Sequence, residues 1–135
     1  YSGEGVKKNI AEAIIWWQKA ANLGSKGAQH NLGLMYFLGE GVEQDFSKAM
    51  EWYLRAAIQG SKEAQNSLGF MYFEGKGVSK DLIEAYAWFR LAASSDYDQA
   101  KLNSSIVEAN LNSEEMQRAN KRAEQYISLY TSEKK

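Results

Sequence analysis

The chain has 135 residues, 44% of them hydrophobic and 24% charged, a balance that fits one compact domain with its own core and excludes a disordered chain. Sixteen Lys+Arg against seventeen Asp+Glu leave a net charge of −1 and a pI of about 5.9, so the electrostatic footprint of a nucleic-acid binder is missing and no nucleic acid is expected as a partner. Zero cysteines remove a disulfide framework, a thiol nucleophile and thiolate metal sites. No apolar run approaches the roughly 18 residues of a membrane span, because the stretch from Leu32 to Leu38 is broken at once by Gly39, Glu40 and Gly41.

Taken in chain order, residues 1–24 are a partial copy of a unit of about 36 residues that follows twice in full, at 25–60 and 61–96. Tyr1 is not an initiator Met and the chain starts inside the repeated motif, so the natural N-terminus and any signal peptide are expected outside this sequence, which leaves the compartment open. Gly3-Glu4-Gly5-Val6 reads as a turn, Asn9 as an N-cap and residues 10–23 as a helix.

In the first full copy, Ala28, Leu32, Met35 and Tyr36 fall at i, i+4, i+7 and i+8, which predicts a helix over 25–38. Gly39 then stands where a left-handed C-cap is needed, Gly41 allows the chain to reverse, Val42 is placed under the turn, and Asp45 is the N-cap of the next helix. Ala49, Trp52, Tyr53, Ala56 and Ala57 predict that second helix over 46–59. The next copy repeats every one of these signals, with helices at 61–74 and 82–95, a turn at Gly75-Lys76-Gly77-Val78 and an N-cap at Asp81.

Gly33 and Gly69 lie inside helices, where glycine costs about 0.8–1.0 kcal/mol relative to Ala. Close approach of the paired helices is the expected reason, with Trp52 or Trp88 filling the space beside it. Trp52 is expected in the core, and the neighbouring column of Trp17, Tyr53 and Phe89 nearer the interface between copies.

After Asp96 the repeat decays: Ser104 and Ser105 replace Leu68 and Gly69, predicting a variant first helix over 98–109. A last helix over 113–130 starts at an Asn112 or Ser113 N-cap and carries an apolar stripe of Met116, Ala119, Ala123, Tyr126, Ile127 and Tyr130. Its other face, with Gln117, Arg118, Lys121, Arg122 and Gln125, is polar, as a solenoid cap requires. Residues 97–135 are therefore read as variant repeat plus cap, with a genuine C-terminal end and a cut N-terminal one. On the cut side the helix over 10–23 is expected to leave Ile14 and Trp17 open and to promote self-association.

The fold class that follows is all-α, a solenoid of helix-turn-helix repeats with a C-terminal capping helix. The pattern Ala-Gln-x-x-Leu-Gly-x-Met-Tyr-Phe-x-Gly-x-Gly-Val-x-x-Asp at 28–45 and 64–81, followed by Ala-x-x-Trp-[Tyr/Phe]-x-x-Ala-Ala, resembles the SEL-one-like repeat family, a relative of the tetratricopeptide repeats. The resemblance implies a right-handed α–α superhelix, a scaffold or adaptor role, and a bacterial setting of host interaction or signalling. Some bacterial members carry a cysteine pair in each repeat, from which this cysteine-free chain departs.

Catalytic chemistry finds little support in the residues. Gly39-Glu40-Gly41 follows a helix and lacks the remainder of a phosphate loop. His30, the single histidine, has no second histidine or cysteine to share a metal. Glu12, Glu51 and Glu84 read as a solvated face, and no nucleophile has an evident base and orienting partner. No enzyme, cofactor or metal is expected, a cell-wall or host-directed hydrolase and a self-assembling spacer being the alternatives to a protein-binding scaffold.

Comparison of the copies locates the expected binding site. Packing positions repeat, whereas a stripe of the first helix varies: His30 against Asn66, Leu34 against Phe70 and Leu38 against Glu74, bordered by the shared Phe37 and Phe73. Four-residue spacing places each set on one helix face. In the architecture that the chain resembles, the first helix of each pair lines the concave surface. These eight residues are expected to form a groove for a peptide or protein segment, with the aromatic residues as anchors and His30, Asn66 and Glu74 fixing register by hydrogen bonds. The alternative for Phe37 and Phe73 is that they close the turn under Val42 and Val78.

Overall fold

The computed structural model describes residues 3–131, with side chains from Asn9 onward. Seven helices and no strand are found among the described residues: α1 (Gly3–Asn22), α2 (Lys26–Leu38), α3 (Phe46–Ile58), α4 (Lys62–Glu74), α5 (Leu82–Ala93), α6 (Asp98–Glu108) and α7 (Ser113–Tyr130). They pack as an α-helical repeat solenoid, each helix from α2 to α6 against the one before it, while α7 turns back to cover α5. No helix among the described residues is long and apolar enough to cross a membrane.

The turns close as their residue types dictate. Gly39 and Gly75 sit at φ 73° and 72°, a left-handed conformation that a Cβ disfavours. Their amides bond back to Met35 O and Met71 O at 2.7 and 2.8 Å, and the amides of Asp45 and Asp81 reach Tyr36 O and Tyr72 O at 2.9 Å. The Asp45 carboxylate then accepts from Lys48 N at 3.0 Å, and that of Asp81 from Ile83 N and Glu84 N at 3.1 Å. At α7 the cap is Asn112, in a reciprocal box with Glu115.

The first Gly-x-Gly-Val behaves differently. Residues 3–6 lie inside α1, which runs unbroken from Gly3, and Asn9 is a mid-helix residue instead of an N-cap. Closure of the later turns depends on carbonyls of the helix before them, Met35 and Tyr36 or Met71 and Tyr72. Residues 3–6 instead carry the helical backbone that continues to Asn22.

Close approach at the interior glycines is present, but its filler is not tryptophan. A Cβ on Gly33 would stand 2.6 Å from Tyr53 Cδ1, and one on Gly69 would stand 2.5 Å from Phe89 Cδ1. Tyr53 and Phe89, both 2% exposed, thus pack directly against α2 and α4 at these glycines. Trp52 is only half-buried, with the Arg55 guanidinium 4.7 Å over its ring.

Exposure in the tryptophan column falls along the chain, from 69% at Trp16 to 4% at Trp88. The cause is coverage. Most of the packing of α3 is with α2 and α4, whereas α5 also meets α7, whose Tyr126 and Tyr130 rings stand 4.8 and 6.0 Å from that of Trp88. Glu84 and Arg122 are corrected in the same way. Instead of facing solvent, Arg122 pairs with Glu84, and Tyr126 donates to the Glu84 carboxylate at 2.9 Å, riveting α7 to α5.

At the other end, Ile14 is 5% exposed and packs with Leu32 and Met35. The turn at Gly41 lies against it, since a Cβ there would come within 2.6 Å of Ile14 Cδ1. The open apolar residues of α1 are instead Ile15 and Trp16, with Trp17 half-buried.

Two stability outcomes follow. Trp88→Ala should cost about 3–5 kcal/mol as a large-to-small core change, and Trp52→Ala clearly less, in parallel denaturant melts. Gly69→Ala should destabilise by about 1–3 kcal/mol through overpacking on Phe89, although alanine is the better helix former. Equal stability of wild type and Gly69→Ala would mean that the ring yields without cost.

Candidate functional site

A groove of about 370 Å³ opens between α2, α4 and α6. Leu34, Phe37 and Leu38 of α2 form one wall, Asn66, Ser67 and Phe70 of α4 the other, Tyr53 of α3 contributes from below, and Gln99 and Asn103 of α6 close one side. Leu38 and Phe70 are 52% and 41% exposed. The ring of Phe37 makes an edge contact with Phe70 at 6.3 Å and a tilted one with Phe46 at 5.1 Å, which fixes its position from both sides.

The polar side is a chain of amides. Gln99 Nε2 donates to Asn103 Oδ1 at 3.3 Å, and Asn103 Nδ2 donates to Asn66 Oδ1 at 3.0 Å. With its oxygen engaged, Asn66 turns its own NH2 outward as the terminal donor. Burial pushes the Tyr53 phenol up to about 12, against the opposing effect of a hydrogen bond with Ser67, so the groove floor is uncharged at neutral pH. The result is an apolar slot beside neutral hydrogen-bonding groups. That arrangement can seat an apolar side chain and meet the main chain that carries it.

Of the eight residues expected at the site, Leu34, Phe37, Leu38, Asn66 and Phe70 line this groove. His30 lines a neighbouring recess with Lys26, Asn31, Lys62 and Glu63, its ring 5.6 Å from that of Tyr53. Phe73 packs into the cluster of Tyr86 and Phe89 under the second turn, with Lys80 over its ring at 6.0 Å, and Glu74 is exposed and outside the groove. The two shared phenylalanines therefore divide, Phe37 into the groove and Phe73 under the turn.

Residues 1–25, 27–61 and 62–97 each match the model of the Sel1 repeat. The chain belongs to the Sel1-repeat family. Two solved structures resemble it closely. A protective antigen of uropathogenic Escherichia coli strains, displaying an SLR fold, is 38% identical with a TM-score of 0.88 over 92% of this chain, which spans only 27% of that protein. A Sel1 repeat protein from Oxalobacter formigenes is 40% identical with a TM-score of 0.66, covering 68% of this chain and 69% of that one. Curated proteins give no match.

Within this Sel1 array the invariant residues are architectural: the interior glycines receive Tyr53 and Phe89, and Ala56, Ala57 and Ala92 are fully buried. Gln29 and Gln65, also shared, are latches between copies. Gln29 Nε2 donates to Ala21 O and Gln65 Nε2 to Ala57 O, both at 3.0 Å, each tying a first helix to the end of the preceding second helix. Gln99 and Asn103 escaped the sequence comparison because it stopped at the two full copies. Extension of the 36-residue offset to α6 puts Asn103 in one column with Asn31 and Ser67.

His30 has a pH consequence. Burial lowers its pKa below 6.5, against an opposing pull from Glu63, so the folded state favours the neutral ring. The unfolded chain then binds more protons below about 6.5, and stability present above that pH is lost as pH falls through the folded value. His30→Asn, which installs the residue of the next copy, should flatten this part of the profile. Melting temperatures of both proteins from pH 7.5 to 5 test it; parallel curves would sever the pH dependence from His30.

Proposed function

We propose that this Sel1-repeat chain is a non-catalytic docking scaffold whose groove between α2, α4 and α6 takes a peptide segment of a partner protein through an apolar anchor. Sel1-repeat proteins generally mediate protein–protein interaction. The observation that carries the reading here is the placement of Leu38 and Phe70: large apolar side chains left exposed on firmly packed helices, at positions that differ between copies whose core residues repeat. Exposed apolar side chains grouped around a slot mark interaction sites. In this reading Leu34, Phe37, Leu38 and Phe70 hold the anchor, and Asn66 with Asn103 meets the main chain of the segment. His30 stands one recess further along, within reach of a longer segment, while Phe73 and Glu74 have no part in the groove.

The double substitution Leu38→Asp with Phe70→Asp tests this reading, because both side chains are exposed and their loss leaves the core intact. Photo-crosslinking from Asn103 in the full chain should capture a partner with wild type, and at least tenfold less of it with the double variant at an unchanged melting temperature. Capture at wild-type yield would move the site to another face. A second reading, self-association through α1, is favoured by Ile15 and Trp16, which stand 52% and 69% exposed on one helix. Trp16→Glu should then remove any concentration dependence of the sedimentation mass.

A further inference from the structure

A second cavity, of about 270 Å³, lies where α3 and α5 end and α7 returns, and at its wall is a buried amide with one half unused. Gln65 is 1% exposed. Its nitrogen is fixed on Ala57 O at 3.0 Å, which settles the orientation of the amide, since only the NH2 end can donate to a carbonyl. Its Oε1 is left without a donor, and an unsatisfied buried acceptor is destabilising.

The preceding copy shows what belongs there. Gln29 makes the same bond to Ala21 O, and its Oε1 accepts from Gln59 Nε2 at 2.7 Å. One repeat later the position of Gln59 is held by Ser95, exposed and too short to reach, while the Ser94 hydroxyl is spent on Leu91 O at 2.6 Å. A side-chain carboxamide has in effect been deleted from the second copy, and a cavity borders the place that it filled.

We propose that this cavity is a receptor for one primary carboxamide, the side chain of a glutamine or asparagine on a partner segment, which donates its NH2 to Gln65 Oε1 as Gln59 does to Gln29. The chemistry of the wall selects that group. A free acceptor repels a carboxylate, and Lys26 at the wall repels a cation, which leaves a neutral donor. Leu91, Ile127 and Tyr130 give an apolar lining for the methylenes, and the Lys26 ammonium can meet the carboxamide oxygen. The volume far exceeds the roughly 30 Å³ share of a single water. This site shares no residue with the groove and does not rest on the reading of it.

The test uses the full chain labelled with nitrogen-15 and three probes: the N-acetyl N-methylamides of glutamine, norleucine and glutamate. The glutamine probe should shift the Gln65 side-chain NH2 signals saturably, with at least tenfold weaker binding of the other two. Ser95→Gln, which restores the internal amide, should weaken glutamine-probe binding at least tenfold and raise the melting temperature, whereas Ser95→Ala should bind as wild type. Leu38→Asp with Phe70→Asp should leave the response intact, separating failure here from failure of the groove. Equal response to all three probes, undiminished binding by Ser95→Gln, or water contacts at Gln65 with no probe response would each overturn the proposal, the last by assigning the site to water.

Discussion

Twice in this chain an aromatic ring packs directly against a helix at a glycine, Tyr53 at Gly33 and Phe89 at Gly69. A single methyl at either glycine would overlap the ring, so the close approach of the paired helices depends on a glycine facing an aromatic side chain. Full burial of Ala49, Ala56 and Ala57 on α3, and of Ala85 and Ala92 on α5, belongs to the same geometry, because larger side chains would hold the helices apart before the ring could seat. The groove inherits it. Tyr53 packs at Gly33 and also lines the slot between α2 and α4, so the residue that faces the glycine is also part of the groove wall.

Local signals carried much of this architecture into the sequence. Period and punctuation place all seven helices, and the caps at Asp45, Asp81 and Asn112 form as their residue types require. What escaped depends on neighbours that a pattern does not contain. Trp52 and Tyr53 are adjacent on one helix and point about 100° apart; which of them is buried is decided by the helices that arrive on each side. Trp88 is buried because α7 returns over α5, an event encoded some 35 residues later. Glu84 and Arg122 looked solvated for the same reason. Identical Gly-Glu-Gly-Val sequences lie in a turn at 39–42 and in a helix at 3–6, so these four residues alone do not decide between the two. Of the eight residues chosen from variation between copies, five meet in one groove; His30 is carried past it by the length of α2, and Phe73 is drawn under a turn by the Tyr86 and Phe89 cluster.

Polar atoms in the interior follow a stricter accounting. At the ends of α1 and α3, Ala21 O and Ala57 O accept from Gly24 N and Gly60 N, and the buried glutamines of α2 and α4 give each a second donor across the repeat boundary. These bonds fix the order and spacing of copies in a way that apolar contacts, which tolerate sliding, do not. Ser25 and Ser61, whose hydroxyls accept from Ala28 N and Ala64 N, complete the junctions at 3.2 and 3.1 Å. Each boundary is thus a small hydrogen-bonded joint between apolar layers.

The falling exposure of Trp16, Trp52 and Trp88 tracks how many helices cover each of them. In a repeat array cohesion passes only between neighbours, and α5 has three helices packed against it, α4, α6 and α7. Its amide protons should therefore be the last of this chain to exchange. The groove lies beside that joint: α2 packs on α1 and α3, while α4 rests on α5. The α4 wall is thereby anchored to the most heavily covered helix of the chain.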